Sequence, residues 1–261
     1  FKANQLPIPN YTWFYDSDYK QDQEAIMQQV GKLSYPVIIK PATTGSSVGI
    51  STASNEEELG KAIEEAMQYD SKIIVEEMVQ NLMEVNISVL GNYTQQQTSV
   101  IEEVLAAHQF LTYEDKYLGN SKVKGKFGLK SAPRKGSKGM ASANRKIPAD
   151  LTKKMEQEVQ ELAVKAFKAL GSSGDARIDM LIDTKAKKVY LNEINSIPGS
   201  LAFYLWDPMG KDYTELLDDM INIGIKDYKH RQNKTHSFES NILEGFAEGG
   251  VKGLKGIKGK H

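Results

Sequence analysis

The 261 residues contain no cysteine. That removes a disulfide framework, a thiolate-bound metal and a cysteine nucleophile, and it fits a reducing compartment. Histidine is nearly as scarce, with four copies scattered at 108, 230, 236 and 261, so any metal is expected to be held by oxygen rather than imidazole. No run of eighteen apolar residues occurs, and the opening FKANQLPIPN has neither the charged nor the apolar region of a secretory leader. A cytoplasmic protein without a membrane partner is therefore expected. What is present, 40% hydrophobic residues, suffices for one large domain or two small ones and excludes a disordered chain.

The net charge of -1 conceals two basic segments. Lys116 to Lys146 holds ten Lys/Arg and no acid, and Gly249 to His261 holds four Lys and no acid, which leaves the rest of the chain at -15. A body so acidic does not suit a general nucleic-acid binder, although either segment has the charge to grip phosphate locally.

Patterning along the chain predicts its elements. Residues 1–20 read as an irregular lead-in with Pro7 and Pro9, followed by a helix from Asp22 to Val30. YPVIIKP (35–41) reads as a short buried strand, and TTGSSVGI as a Gly/Ser hairpin tip returning into a second strand. Ser54 with Glu57 forms the sequence pattern of a capping box for a helix whose apolar stripe is Leu59, Ile63, Ala66 and Met67. KIIVEE (72–77), EVNISVLG (84–91) and TSVIEEV (98–104) are expected to share an antiparallel sheet. A long helix spans Leu151 to Leu170 with Gly171 at its end. ARIDMLID (176–183) and KVYLNEIN (188–195) make a β-hairpin, and a last helix covers about Tyr213 to Ile223.

Strand parity selects a first group of side chains. Arg177 and Asp179 share a face of one hairpin strand, and Glu193 and Asn195 share a face of the other, so pairing gathers Asp179, Glu193 and Asn195. Two carboxylates and an amide oxygen make a hard oxygen site that suits Mg²⁺ together with a phosphate; charge alternation on a solvent-facing strand is the competing reading. The Gly/Ser tip offers hydroxyls and backbone N–H donors, and Lys40 just before it supplies a point charge. No Gly-Lys-Ser/Thr follows, so this is not a Walker A loop.

IIKPATTGSSVGI (38–50), IIVEE (73–77), the strand from Glu84 to Gly91, YEDKY (113–117), ARIDMLID and LNEINSIPGS (191–200) together resemble the ATP-grasp enzymes, and within them the D-alanine-D-alanine ligase family. The resemblance covers most of residues 5–225. It implies an α/β (α+β) ATP-grasp fold with the nucleotide between two sheets: a small subdomain over 1–75, a larger one over 76–230 with a basic lid at 116–146, and a flexible Gly/Lys tail at 231–261.

Carried onto this chain, the resemblance has Lys40 contacting ATP phosphates under Ser46 and Ser47. Glu76, with backbone groups near Glu77 to Val79, holds adenine, and Glu84 binds the ribose. Lys116 reaches the terminal phosphate, with Tyr117 beside the substrate. Asp179, Glu193 and Asn195 hold Mg²⁺, which Mn²⁺ can replace, and Asn195 also borders the nucleotide. Arg177 and the Gly199 N–H stabilise a tetrahedral oxyanion, so the catalytic set is Arg177, Gly199, Ser46 and Tyr117. The implied reaction joins D-alanine to D-alanine, or a close relative, through an acyl phosphate, for cell-wall precursors; a homodimer is compatible with it.

The match is incomplete in three places. An N-terminal domain of the family, carrying an acidic residue and a phosphate-binding lysine, has no counterpart. The basic stretch after Lys116 is longer than the usual lid. After Pro198-Gly199 the run Ser200-Leu201-Ala202-Phe203-Tyr204 lacks the serine that holds the second substrate's carboxylate, and Tyr204 is its candidate replacement. A non-catalytic nucleotide-binding module is the main alternative.

Overall fold

In Val37–Pro41 (β2) the buried residues alternate with half-buried ones, the period of two required of a strand with one packed face. The computed structural model describes residues 1–45, 48–105 and 145–234. β1 (Tyr11–Tyr15), β2, β3 (Ser51–Ala53) and β4 (Lys72–Glu77) form an antiparallel sheet in the order β1-β4-β2-β3. α1 (Asp16–Gln21) follows β1, and α2 (Gln23–Val30) and α3 (Glu56–Ala66) complete this half of the chain. Phe14, Val37, Ile39, Leu59, Ile63, Ile73 and Val75 make the core beneath the sheet. The other face aligns Trp13, Ile74 and Lys40 across three strands, with Tyr11, Glu76 and Ile38 in the next row.

The β2–β3 hairpin forms as the sequence predicts, although Ser46 and Ser47 at its tip lie outside the described residues. Gly49 there has φ +70, and a Cβ would fall 2.5 Å from the Tyr69 ring and 2.9 Å from Pro41, so only glycine lets the loop fold back onto the helix end.

Several local expectations need correction. The cap of α3 is Asn55, whose side chain accepts from Glu58 N at 3.0 Å, while Glu58 accepts from Ser54 N at 2.8 Å. Glu57 instead pairs on the surface with Lys61. The lead-in is not irregular: it contains β1 and α1, hidden because in YTWFY both faces are apolar and only Phe14 is buried. KIIVEE joins the first sheet, between β1 and β2, rather than the sheet of residues 84–91. The division expected between 75 and 76 thus falls inside β4, which continues to Glu77.

The second sheet is antiparallel in the order β7-β6-β5-β8-β9, built from β5 (Leu82–Gly91), β6 (Gln96–Val104), β7 (Arg145–Lys146), β8 (Gly174–Asp183) and β9 (Lys188–Asn195). α4 (Lys153–Ala169) covers one face: Val159, Leu162, Ala163, Ala166 and Phe167 pack on Val85, Ile87, Val89, Ile178, Met180 and Leu191. The intervening residues, Glu84, Asn86, Ser88, Arg177, Asp179 and Glu193, occupy the opposite face by strand parity. α5 (Tyr213–Gln232) runs nine residues past the expected end, because Gly224 is accommodated within the helix and Lys229, His230 and Arg231 favour its C-terminus. The stretch 106–144, which holds most of the expected lid, and the tail from 235 lie outside the described residues.

One buried acid near the end of this sheet has a measurable consequence. Asp175 is 3% exposed, accepts from Ser88 Oγ at 2.5 Å, and sits near Trp206, whose indole N–H completes no hydrogen bond. Burial outweighs Ser88 and Trp206 and pushes the carboxyl up to about 6. An acid raised above its unfolded value near 3.9 contributes fully below that pH and loses its contribution as pH rises through the folded value. Asp175→Asn, which keeps an acceptor for Ser88, is therefore expected to be the more stable protein at pH 8, by roughly 1 to 3 kcal/mol. The difference should shrink toward pH 4. Urea melts of both proteins across that range check it, and a difference independent of pH would count against the buried-acid account.

Candidate functional site

The β8–β9 pairing sets Asp179 against Glu193 and Arg177 against Asn195. The three expected side chains meet, although it is a register shift between Asp179 and Met180 and not simple alternation that turns Glu193 and Asn195 onto the Asp179 face: Asn195 Nδ2 lies 3.1 Å from Asp179 Oδ2 and 3.3 Å from Glu193 Oε1. Arg177, two residues before Asp179 on the same face, grips it with two parallel bonds, Nε to Oδ1 at 2.6 Å and Nη2 to Oδ2 at 2.7 Å. Asp179 is nearly buried, and that burial, helped by the charges of Glu193 and Glu84, pushes its carboxyl up to about 7 against the pull of Arg177.

This surplus of negative potential is what a bound cation relieves. Among the described residues no group of three carboxylate or imidazole side chains converges. Two carboxylates and one amide suit a hard divalent ion that completes its shell with phosphate and water. The Asn195 amide presents nitrogen to both carboxylates here, and rotation about its last bond presents oxygen instead.

Across the crevice, Lys40 of β2 reaches both halves of the chain. Its Nζ lies 2.5 Å from Glu76 Oε2 and 3.3 Å from Asn192 Oδ1 on β9. Sequence parity missed Asn192. The β8–β9 register shifts between Asp179 and Met180, so Met180 opposes Leu191 and residue 192 is extra in β9. Such a bulge re-aims side chains, and here it brings Glu193 to Asp179 in place of Asn192 and leaves Asn192 to meet Lys40.

The remaining expected residues divide. Glu77 does not share the Glu76 face: its carboxylate accepts from Asn10 Nδ2 at 2.8 Å and Ser34 N at 2.9 Å. The N–H groups of Glu77 and Met78 are already bonded to Asn10 and Pro36, and Val79 is buried beyond them. Glu84 lies on the Asp179 face of β5, close enough for its charge to act on that carboxyl. Gly199 opens a turn in which Ser200, Leu201 and Ala202 all have positive φ. Ser46, Ser47, Lys116 and Tyr117 lie outside the described residues. The Gly/Ser hairpin is braced by a contact that the sequence did not signal, Asp70 accepting from Thr43 N at 2.6 Å and Thr43 Oγ1 at 2.7 Å.

Comparison with known proteins identifies the family. The family model for the D-ala D-ala ligase C-terminus matches residues 1–222. D-alanine-D-alanine ligase B of Clostridium tetani is 38% identical over 230 residues, 86% of this chain and 57% of the relative. The D-alanine-D-alanine ligase of Macrococcus caseolyticus is 38% identical over 238 residues, 89% of this chain and 60% of the relative. Among solved structures, the VanG D-Ala:D-Ser ligase of Enterococcus faecalis superposes with a TM-score of 0.67 at 28% identity, covering 85% of this chain and 58% of that one. The chain thus spans under two thirds of the length of these relatives. With the family model matching residues 1–222 and relatives 38% identical over most of the chain, the chain belongs to the D-alanine-D-alanine ligase C-terminal family and has the ATP-grasp fold.

Proposed function

We propose that the chain forms the nucleotide- and metal-binding part of an ATP- and Mg²⁺-dependent ligase that joins D-alanine to D-alanine, or to a related amino or hydroxy acid, for peptidoglycan precursors in the cytoplasm. The observation that carries the reading is the meeting of Asp179, Glu193 and Asn195 opposite Lys40, in a chain of this family. Lys40 and the Gly/Ser hairpin, with Ser46 and Ser47 at its tip, take the phosphates. Glu76 and the backbone beyond it border adenine, Glu84 the ribose, and Lys116 and Tyr117 act from the lid over 116–146. The units expected over 1–75 and 76–230 divide in this reading after Glu77, where β4 ends, and the tail follows the last helix, which ends at Gln232.

The chemistry follows from charge. A carboxylate that attacks the terminal phosphate needs the triphosphate neutralised, and Mg²⁺, or Mn²⁺ in its place, supplies that when bound beside Asp179 and Glu193. An amine then attacks the resulting acyl carbonyl and phosphate leaves. Negative charge develops on the carbonyl oxygen, and in this reading the Arg177 guanidinium and the Gly199 N–H receive it. Among the described residues no helix is long and apolar enough to cross a membrane.

Lys40→Ala should weaken ATP binding by roughly 1.5 to 3 kcal/mol, the loss of a charge-assisted hydrogen bond, while Thr52→Ala on the neighbouring strand should leave it unchanged. Calorimetric titration with ATP and Mg²⁺ measures both. For the reaction itself, phosphate release is followed with D-alanine present and absent. Release that needs D-alanine supports the ligase. Nucleotide binding without release supports the second reading, a nucleotide-binding module.

A further inference from the structure

One group of buried polar side chains has no part in the phosphate and metal contacts described above. Glu102 of β6 is 2% exposed and opposes Asn86 of β5, which in turn opposes Asp179 of β8. Three separate elements meet at its carboxylate. Asn86 Nδ2 donates to Oε1 at 2.9 Å, Tyr204 Oη donates to the same oxygen at 2.9 Å, and Arg145 Nη1 lies 3.2 Å from Oε2. The Arg145 guanidinium also lies over the Tyr204 ring, 4.6 Å from its centroid. The charge of Glu102 acts in turn on Arg177.

A buried carboxylate is costly unless it is paired, and apolar side chains of similar size often replace such a cluster without loss of stability. Its placement gives it a second use. Tyr204 lies five residues after Gly199, and between them Ser200, Leu201 and Ala202 follow one another with φ of 53, 53 and 45°. Left-handed backbone costs roughly 1 to 2 kcal/mol per non-glycine residue, so this run persists only while both its ends are held. Its last residue, Ala202, is buried, as are Leu205 and Trp206 beyond it, and Tyr204 is fastened to Glu102. The same carboxylate holds Arg145, with which the described chain resumes after residue 144.

We propose that Glu102 is a positioning residue for the carbonyl step. Through Tyr204 it fixes the segment that presents the Gly199 N–H, and through Arg145 it ties the start of β7 to the same point. It touches neither the nucleotide contacts nor Asp179 and Glu193 directly. The catalytic consequence rests on the ligase reading; the fastening itself does not.

The test compares Glu102→Ala, Glu102→Gln and Tyr204→Phe in the full chain, by peptide-resolved hydrogen exchange, calorimetric titration with ATP and Mg²⁺, and D-alanine-dependent phosphate release. In Glu102→Ala, exchange over 199–206 should rise at least about tenfold while α4 and β5 change less than about twofold. ATP affinity should stay within about twofold, and kcat should fall roughly 10- to 100-fold with the KM for ATP unchanged. Tyr204→Phe should reproduce both effects, and Glu102→Gln, which keeps an acceptor for the tyrosine, should recover most of the exchange protection. Exchange rising evenly through both sheets, ATP affinity falling in step with turnover, or a silent Tyr204→Phe would each overturn the proposal and leave Glu102 a purely structural pair. If the unsubstituted chain releases no phosphate with D-alanine, the ligase reading fails on its own account, and exchange over 199–206 still decides whether Glu102 holds that segment.

Discussion

Replacing Glu193 by Ala is expected to remove most of the Mg²⁺-dependent part of ATP binding, a loss of about 100-fold, while the melting temperature moves by no more than about 2 °C. The two halves of this expectation have separate causes. Glu193 is exposed on β9, so removing its side chain empties no core and leaves no buried partner unpaired. Yet its carboxylate and that of Asp179 flank one amide nitrogen at 3.3 and 3.1 Å, and with one of them gone a divalent ion keeps a single carboxylate. Calorimetric titrations with and without Mg²⁺, paired with thermal melts, separate the two. A large fall in melting temperature would make Glu193 a structural residue rather than a metal ligand.

Arg177→Ala is expected to act in the opposite way, destabilising the chain by about 3 to 5 kcal/mol in the absence of metal. Asp179 is 4% exposed, and its two oxygens take both arms of the guanidinium. Without Arg177, burial first and then the charges of Glu193 and Glu84 oppose the Asp179 carboxylate unchecked, so it is either a stranded buried charge or must take up a proton, and each costs stability at neutral pH. The double substitution Arg177→Ala with Asp179→Asn removes that stranded charge and should recover more than half of the loss. Added Mg²⁺ should also stabilise Arg177→Ala more than the unsubstituted chain, because the ion then supplies the missing positive charge. Urea unfolding of the single and double variants, with and without Mg²⁺, gives the coupling energy directly. A double variant no more stable than Arg177→Ala would show that the arginine contributes through packing instead.

The hairpin that carries Asp179, Glu193 and Asn195 was legible in the sequence from two apolar strands and a short turn, but strict alternation from that turn would have set Asp179 against Asn192, so their meeting depends on the bulge. Asp183 accepts from the N–H groups of Lys185 and Ala186, which closes that turn and fixes the register from Asp183↔Lys188 to Met180↔Leu191, and the bulge that follows brings 179 to 193. Asn192 was not legible, because a bulge shifts parity by one residue and nothing in YLNEIN marks where the extra residue falls. Glu102 was hidden for a related reason. In TSVIEEV two adjacent acids sit on opposite faces, and only the tertiary partners Asn86, Arg145 and Tyr204 distinguish the buried Glu102 from Glu103. β1 escaped because exposed aromatics on its outer face erase the polar half of the alternation: Trp13 and Tyr15 are 44% and 45% exposed, and Lys72 lies over the Trp13 ring. The cap of α3 moved by one residue because Asn55 and Ser54 are both good caps and only the backbone path into the helix chooses between them.

The central claim is that a nucleotide and a divalent ion share the crevice between Lys40 on one sheet and Asp179, Glu193 and Asn195 on the other. Its most direct test is calorimetric titration of the chain with a non-hydrolysable ATP analogue, first with Mg²⁺ and then with a chelator in its place. The predicted result is a single site whose affinity falls by at least about tenfold when the ion is removed, since the carboxylates then face the triphosphate with no charge between them. An affinity that is the same with and without Mg²⁺ would contradict the account.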